Sequence, residues 1–506
     1  MSSTANRVIK NTGYLYAKMG ITMFISLYTT RLILNSLGAS DFGIFNIVGG
    51  AIAMLGFLNA AMAGATQRFM SYSEGEGNKE KQKSIFNVSF VLHLGISFVV
   101  GIALLIAGYF FFNGILNIPE DRIYAAKVVY GSLIVSTIFT VMTVPYDAAM
   151  NAHENMKYYA IVGIFESFLK LIVAFACVYT TFDKLIVYGS LMACIPLITL
   201  TIMRIYCHKH YTECIIAPKK YWNKTLVKEI SLYAGWSFID SSSGISSQYG
   251  LGIVLNHFFG TILNAAQGIA NQISGQLMAF SQNMMKALNP VIIKNEGAGQ
   301  HSFMLKAALL GCKYSYLMLV FFAIPFILEM PYLLNIWLKK PPVWAILFCQ
   351  LQLIKSLSQQ LTTNIWAVIA ANGNIGSFYK WKSILNIIPI FITYALFSYN
   401  FAPYWLYITW IICWGIAEGI LIIFYAHKLC NLQYKEYLNI VFKPCILITL
   451  CATLIGYIPI ILLESTLLRL FITFICSTIG FIYLFSQTLS KEERHIFKSL
   501  ITSIIK

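Results

Sequence analysis

Asp240 is surrounded by Ser237, Ser241, Ser242 and Ser243 and has no basic residue within a helical turn. A carboxylate among hydroxyls offers the oxygen ligands that a proton or Na⁺ requires. The other reading is a carboxyl kept neutral and hydrogen-bonded to the serines. Glu418 is the second acidic candidate for ion coupling. Lys18, Arg31, Lys313 and Lys355 lie in apolar surroundings, where a charge near a bilayer centre costs roughly 2.5–3.5 kcal/mol and faces a cavity or a partner. They are candidates for a cationic cavity suited to an anionic ligand. Lys18 and Arg31, each near the end of an apolar stretch, could instead snorkel to the interface. Arg68 closes another stretch, either to meet an entering anion or to anchor. Glu166 and Lys170, four apart, share a helix face and can neutralise each other. His93 reads as a hydrogen-bonded core histidine. Asn264, Gln267, Asn271, Gln272 and Gln276 recur near helical spacing and predict one amide-lined face, for sugar hydroxyls or for helix–helix hydrogen bonds.

The elements that carry these groups are about fourteen apolar stretches, each near the length that spans a ~30 Å hydrocarbon core. They fall at 12–35, 42–64, 84–112, 123–146, 158–180, 184–206, 230–254, 262–285, 303–329, 344–370, 381–400, 404–426, 441–463 and 467–487. Only 11% of the 506 residues are charged and 58% are hydrophobic, which a soluble chain of this size does not show. Of the 36 Lys and Arg, 25 fall on one set of alternate segments and six on the other. The first set includes Lys380 and Lys382, and Lys491, Arg494, Lys498 and Lys506 at the C-terminus. This bias puts both termini in the cytoplasm of a multi-pass protein. The polar N-terminal tail carries no small-residue cleavage site and is not a cleavable signal. The stretches at 230–254 and 262–285 are rich in Ser, Asn, Gln and Gly, and hydropathy alone would skip both and count twelve.

Several function classes are excluded. The net charge of +16 is scattered through loops and forms no nucleic-acid-reading stripe. The eleven cysteines show no CxxC, and His208 and His210 have no Cys or acidic cluster nearby, so neither metal nor other cofactor is expected. There is no GxSxG, P-loop or Rossmann fingerprint, and no loop holds an ATPase domain or the catalytic residues of a polymerase or ligase. The chain reads as a non-enzyme.

The chain also repeats. Leu34-Asn35-x-x-Gly38 ends the first stretch and Leu255-Asn256-x-x-x-Gly260 the seventh, about 221 residues apart. MNAHENMKYY at 150–159 answers IAANGNIGSFY at 369–379, about 219 apart. Six intervening spans give two like-facing halves around a central cavity. The expected organisation is an all-α bundle: a six-helix lobe at 1–206, a basic cytoplasmic linker at 207–229, a second six-helix lobe at 230–428, and two extra helices with a basic tail at 429–506.

LILNSLGASDFGIFNIVGG, NAHENMKYY, LNHFFGTILNAAQGIANQISGQL with the following NPVIIK, NIWLKKPP and AANGNIGSFY together resemble the polysaccharide (O-antigen, Wzx-type) flippases of the multidrug/oligosaccharidyl-lipid/polysaccharide, MATE-like superfamily. The likeness runs from about residue 8 to residue 440 on loosely spaced Gly, Asn, Pro and aromatic positions. It implies alternating-access transfer of an undecaprenyl-pyrophosphate-linked oligosaccharide across a bacterial inner membrane, coupled to H⁺ or Na⁺, with membrane lipids and a polysaccharide polymerase as partners and no nucleic acid. The pyrophosphate would match Lys18, Arg31, Arg68, Lys313 and Lys355. Many such flippases have twelve spans; the last two here either wall a groove for the lipid tail or simply pack. A cation-coupled multidrug antiporter of the same superfamily is the rival reading.

Overall fold

A computed structural model describes residues 2–53, 56–115, 118–490, 493 and 494. Lys491, Lys498 and Lys506, counted above with the basic tail, lie outside the described residues. The described chain is all-helical, with no strand. Its main helices are α1 (Ser2–Ala53), α2 (Gly56–Glu76), α3 (Lys79–Phe110), α4 (Ile123–Ala152), α5 (Met156–Tyr179) and α6 (Lys184–His210). They are followed by α7 (Lys224–Phe259), α8 (Thr261–Gly297), α9 (His301–Leu328), α10 (Ala345–Gln360), α11 (Thr363–Asn372) and α12 (Gly376–Ser398). α13 (Trp405–Cys430), α14 (Tyr434–Leu462) and α15 (Leu467–Thr488) complete the chain.

Nine of the described helices are long and apolar enough to cross a membrane, and α1 adds a tenth if its two arms form one broken span. Those arms meet at 119° at Gly38, whose φ of 78° a side chain would oppose. The first expected span lies on the first arm. The seventh and eighth lie on α7 and α8, helical but too polar to pass by apolarity. The tenth, expected as one continuous helix, is corrected: it breaks between α10 and α11. There the hydroxyl of Thr363 donates to the Gln359 carbonyl at 2.7 Å and competes for the helix's own acceptor.

The chain packs as two compact units. One comprises 10–238 and 297–299; the other comprises 1–9, 239–296 and 300–506. The chain passes between units within α1, within α7 and on either side of 297–299. In the first unit, Val48, Val100, Leu104, Ala126 and Val129 form a core shared by α1, α3 and α4. In both units the outward faces of the apolar helices are aliphatic or aromatic. Phe98, Ile102 and Leu105 stand exposed on α3, Ile412, Ile416 and Ile420 on α13, and Phe471, Ile475 and Ile479 on α15. Such faces suit lipid, which has no polar group to offer.

Positive-φ residues recur at matching turns. Gly38 (78°) corresponds to Gly260 (77°), Gly77 (70°) to Gly299 (71°), and Glu154 (56°) to Gly373 (89°). The spacing is the one shown by the sequence pairs, so the repeat is written in backbone conformation as well as in residue type.

At the head of α4, Arg122 joins three elements. It donates to Asp41 of α1 and, at 2.7 Å, to Asp183, the N-cap of α6. Burial alone would push the Asp183 carboxyl up. The hydrogen bond and charge of Arg122, with the amides of Ile186 and Leu185, outweigh it and hold the group below the usual carboxylate range. A depressed carboxylate stabilises the fold above its unfolded pKa, and the contribution disappears as pH falls through the folded value. Arg122→Ala should therefore lower the melting temperature of the purified protein at pH 7, by about 1–3 kcal/mol of stability. The difference from the parent should shrink below about pH 4; an undiminished difference at pH 3 would remove this pair from the acid sensitivity.

Candidate functional site

The densest charge cluster in an apolar setting forms where α7, α10, α12 and α13 of the second unit bring four ionisable side chains together. Lys382, six residues into α12, points its ammonium at Asp240 of α7, 2.7 and 2.9 Å from the two carboxylate oxygens. Glu418 of α13 lies 3.6 Å away on the same ammonium. Asn386, one turn beyond Lys382, donates to Asp240 Oδ1 at 3.3 Å and to Ser243 Oγ at 2.9 Å. Its own carbonyl accepts from the Trp414 indole at 3.3 Å.

This arrangement corrects two expectations. Asp240 is not a lone carboxylate among hydroxyls, because a lysine distant in sequence occupies its oxygens. Lys382, expected as a basic charge at the cytoplasmic border of the 381–400 stretch, is mostly buried and paired. The seven-residue π-helical stretch Ile411–Ala417 ends immediately before Glu418. Its wider turn changes which residues share a face, as such stretches do at functional sites. Gly415 permits the close approach of α10, since a Cβ there would lie 2.2 Å from Ser358 Oγ.

Lys355 of α10, 6% exposed, rests its ammonium 3.9 Å from the Trp410 ring centre and 4.7 Å from that of Trp414. An indole face attracts a desolvated cation by about 2 kcal/mol. Two carboxylates and two ammoniums thus balance formally within one helical group. Protonation of either carboxylate would leave this group with one net positive charge, which Lys355 on its indole faces is placed to carry.

The remaining predicted residues separate. Lys18 stacks 4.2 Å over Tyr159, in space opened by Gly163, where a Cβ would stand 2.2 Å from Lys18 Cε. Arg68 lies among Phe69, Tyr72 and Tyr233, between 4.7 and 5.8 Å from the ring centres. Arg31 is exposed on α1, and no ion pair reaches it among the described residues. Lys313 is corrected as a cavity cation. It is 2% exposed and bound to Glu493 at 2.8 and 3.1 Å, with Tyr314 donating to the same carboxylate at 2.7 Å. Glu166 and Lys170 pair at 2.7 Å, and His93 bonds the Ser89 carbonyl through Nδ1 at 2.7 Å within the core.

The amides do not share one face, which corrects the spacing argument. Gln267 is buried, Asn264 and Asn271 are half-buried, and Gln272 and Gln276 are exposed. The exposed face of α8 runs Thr261, Ala265, Gly268, Gln272, Gly275 and Gln276. Ile262, 63% exposed, stands beside that row and Ala265 lies within it; the other members are small or polar, in contrast to α3, α13 and α15.

Sequence reading missed Lys382 and Asn386, although their four-residue spacing on a helix with buried Ser383 and Thr393 was visible. It also missed His153, which binds Glu213 at 2.5 Å and faces Glu74 at 3.5 Å. The three lie far apart in the chain and no motif joins them.

A MatE family model matches residues 17–176. A comparison with curated protein sequences returns no match. Solved structures align over most of the chain. A MATE transporter in complex with MaD3S superposes with a TM-score of 0.72 at 14% identity, over 85% of this chain and 96% of its own. An outward-facing multidrug resistance MATE family transporter of the MOP superfamily gives 0.70 at 15%, over 85% and 97%. A MOP superfamily transporter from Pyrococcus furiosus, described by the reverse polarity of its binding pocket, gives the same four values. At these identities the likeness establishes the fold: a polytopic helical membrane protein built as MATE transporters are.

Breaking the central pair isolates a charge. Asp240→Asn and Lys382→Met should each lower stability by about 3–5 kcal/mol, and the double variant by clearly less than their sum. Thermal unfolding in detergent measures this; additive losses would mean that the two groups do not interact.

Proposed function

We propose that this protein is an alternating-access flippase for an undecaprenyl-pyrophosphate-linked oligosaccharide, a repeat unit of O-antigen or another surface polysaccharide. The observation that carries this reading is the exposed face of α8, from Thr261 through Gln272 to Gln276. Glycines and amides make a poor lipid surface, but they let a sugar approach the backbone and offer both donors and acceptors to its hydroxyls. Arg31, exposed and without an acidic partner among the described residues, supports an anionic headgroup. The recurring positive-φ turns support two like-facing six-helix halves, the arrangement that alternating access needs.

Transport would be driven by proton uptake and release at Asp240 and Glu418 around Lys382, with Na⁺ as the alternative coupling ion. The site of action would be a bacterial inner membrane, with both termini cytoplasmic and a polymerase downstream. Lys18 and Arg68, held on aromatic rings, would serve the entering pyrophosphate; Lys355 would hold charge balance at the coupling site.

Cation-coupled multidrug export is the second reading, favoured by the fold shared with the multidrug resistance transporter. A pathway for cationic drugs needs unbalanced negative charge, whereas Asp240, Glu418 and Glu166 are all ion-paired with lysines.

Proteoliposomes carrying a fluorescent undecaprenyl-pyrophosphate oligosaccharide separate the two. The flippase reading predicts protein-dependent transfer of label between leaflets, accelerated by a pH gradient. Arg31→Ala should slow it about tenfold, equivalent to ~1.4 kcal/mol. Absence of transfer in vesicles that do accumulate ethidium would favour the drug-export reading instead.

A further inference from the structure

Matching turns in the two units hold matching carboxylates, but their surroundings differ in one respect. In the first unit, Glu74 closes α2 and Lys79 opens α3 across Gly77. Lys79 and Gln82 donate to Glu74 Oε2 at 2.9 and 2.6 Å. The other oxygen, Oε1, faces His153 Nδ1 at 3.5 Å. The imidazole goes on to Glu213 at 2.5 Å and stacks on Tyr211, 4.2 Å between ring centres at 11°. One ring thus fills the space between three turns and satisfies two carboxylates.

Glu296 and His301 of the second unit stand on either side of Gly299 in sequence and bond through Glu296 Oε2 at 2.6 Å. Gly299 has the φ of Gly77. The correspondence continues at the other turns. Asn372 precedes positive-φ Gly373 as His153 precedes Glu154. Asn431 follows α13 as Tyr211 follows α6, though Asn431 is left-handed (φ 56°) where Tyr211 is extended, and Gln433 stands two residues on as Glu213 does. Each replacement is shorter or uncharged, and Met304 stands where Gln82 would donate. No hydrogen bond reaches Glu296 Oε1 among the described residues. Beside it lies a cavity of about 690 Å³, lined by Glu296, His301, Asn372, Asn431, Gln433 and Glu436.

We propose that this cavity binds a small nitrogen cation, a protonated amine or imidazole, that does for the second unit what the His153 side chain does for the first. Its N–H groups, three on a primary ammonium and two on an imidazolium, would meet Glu296 Oε1 and amide oxygens from among Asn372, Asn431 and Gln433. Glu436 adds negative charge, set against Lys306 on the same wall. Occupancy would tie together the turns α8–α9, α11–α12 and α13–α14. The cation could be a free amine or the ammonium of a phosphatidylethanolamine headgroup.

The test uses the full-length protein in phosphatidylglycerol nanodiscs, which contain no amine, titrated with ethanolamine and with imidazole by calorimetry. Saturable binding of at least one probe is expected, weakened tenfold or more by Glu296→Gln. Transplanting the first unit's side chains as Asn372→His, Asn431→Tyr and Gln433→Glu should fill the cavity, abolish binding and leave the protein folded. The single Asn372→His change serves if the triple variant misfolds. In phosphatidylethanolamine nanodiscs, weaker probe binding identifies the lipid headgroup as the occupant, and unchanged binding identifies a free amine. No saturable binding of either probe, or undiminished binding in the folded filled variant, would overturn the proposal.

Discussion

A charge buried among apolar helices must be neutralised where it stands, because neither lipid nor a packed core can solvate it. Lys382 is where this constraint bears most heavily. Its ammonium holds Asp240 of α7 and Glu418 of α13 from a position on α12, so three helices are bound to one point. Asn386 and Ser243 extend the same network, and Trp410 and Trp414 accept Lys355 beside it. Removing one member leaves the others uncompensated, which makes the group either a fixed clamp or, when protons come and go, a switch with two charge states. Lys313 with Glu493 and Arg469 with Glu329 obey the same rule elsewhere in the unit.

Much of the fold was legible because it rests on local signals. Long apolar stretches and a lopsided distribution of Lys and Arg yield helices in the right places, and the seventh and eighth helices form despite their polarity. The break between α10 and α11 was hidden because no proline or glycine marks it. The site was less legible. Asp240 and Glu418 were visible as acids in apolar stretches, but their shared partner stands far along the chain, at the edge of a span where positive charge is expected anyway. The amide face predicted on α8 was half correct in kind: spacing identified a polar helix, yet which amides turn outward depends on how the unit packs. Lys313 misled for the same reason, since its acid follows the last helix.

The two units agree in backbone at three turns and diverge in the side chains around them. Positive-φ turns recur at a constant spacing, and Glu74 with Lys79 is echoed by Glu296 with His301. Between those fixed points, one unit completes its turn cluster with an imidazole and the other leaves room. Divergence around a repeated frame is how a duplicated architecture acquires different sites in its halves.

The proposed transport of a lipid-linked sugar would need a surface that is neither wholly apolar nor sealed in the core, and the outer row of α8, Ile262 apart, is small and polar. Cysteine accessibility tests this most directly. Gln272→Cys and Gln276→Cys, each introduced singly into membranes, should react with a membrane-impermeant maleimide and be protected by the lipid-linked oligosaccharide. Ile416→Cys and Ile420→Cys on α13 should not react. Equal reactivity at all four positions, or none at Gln272 and Gln276, would contradict a water-filled sugar path along α8.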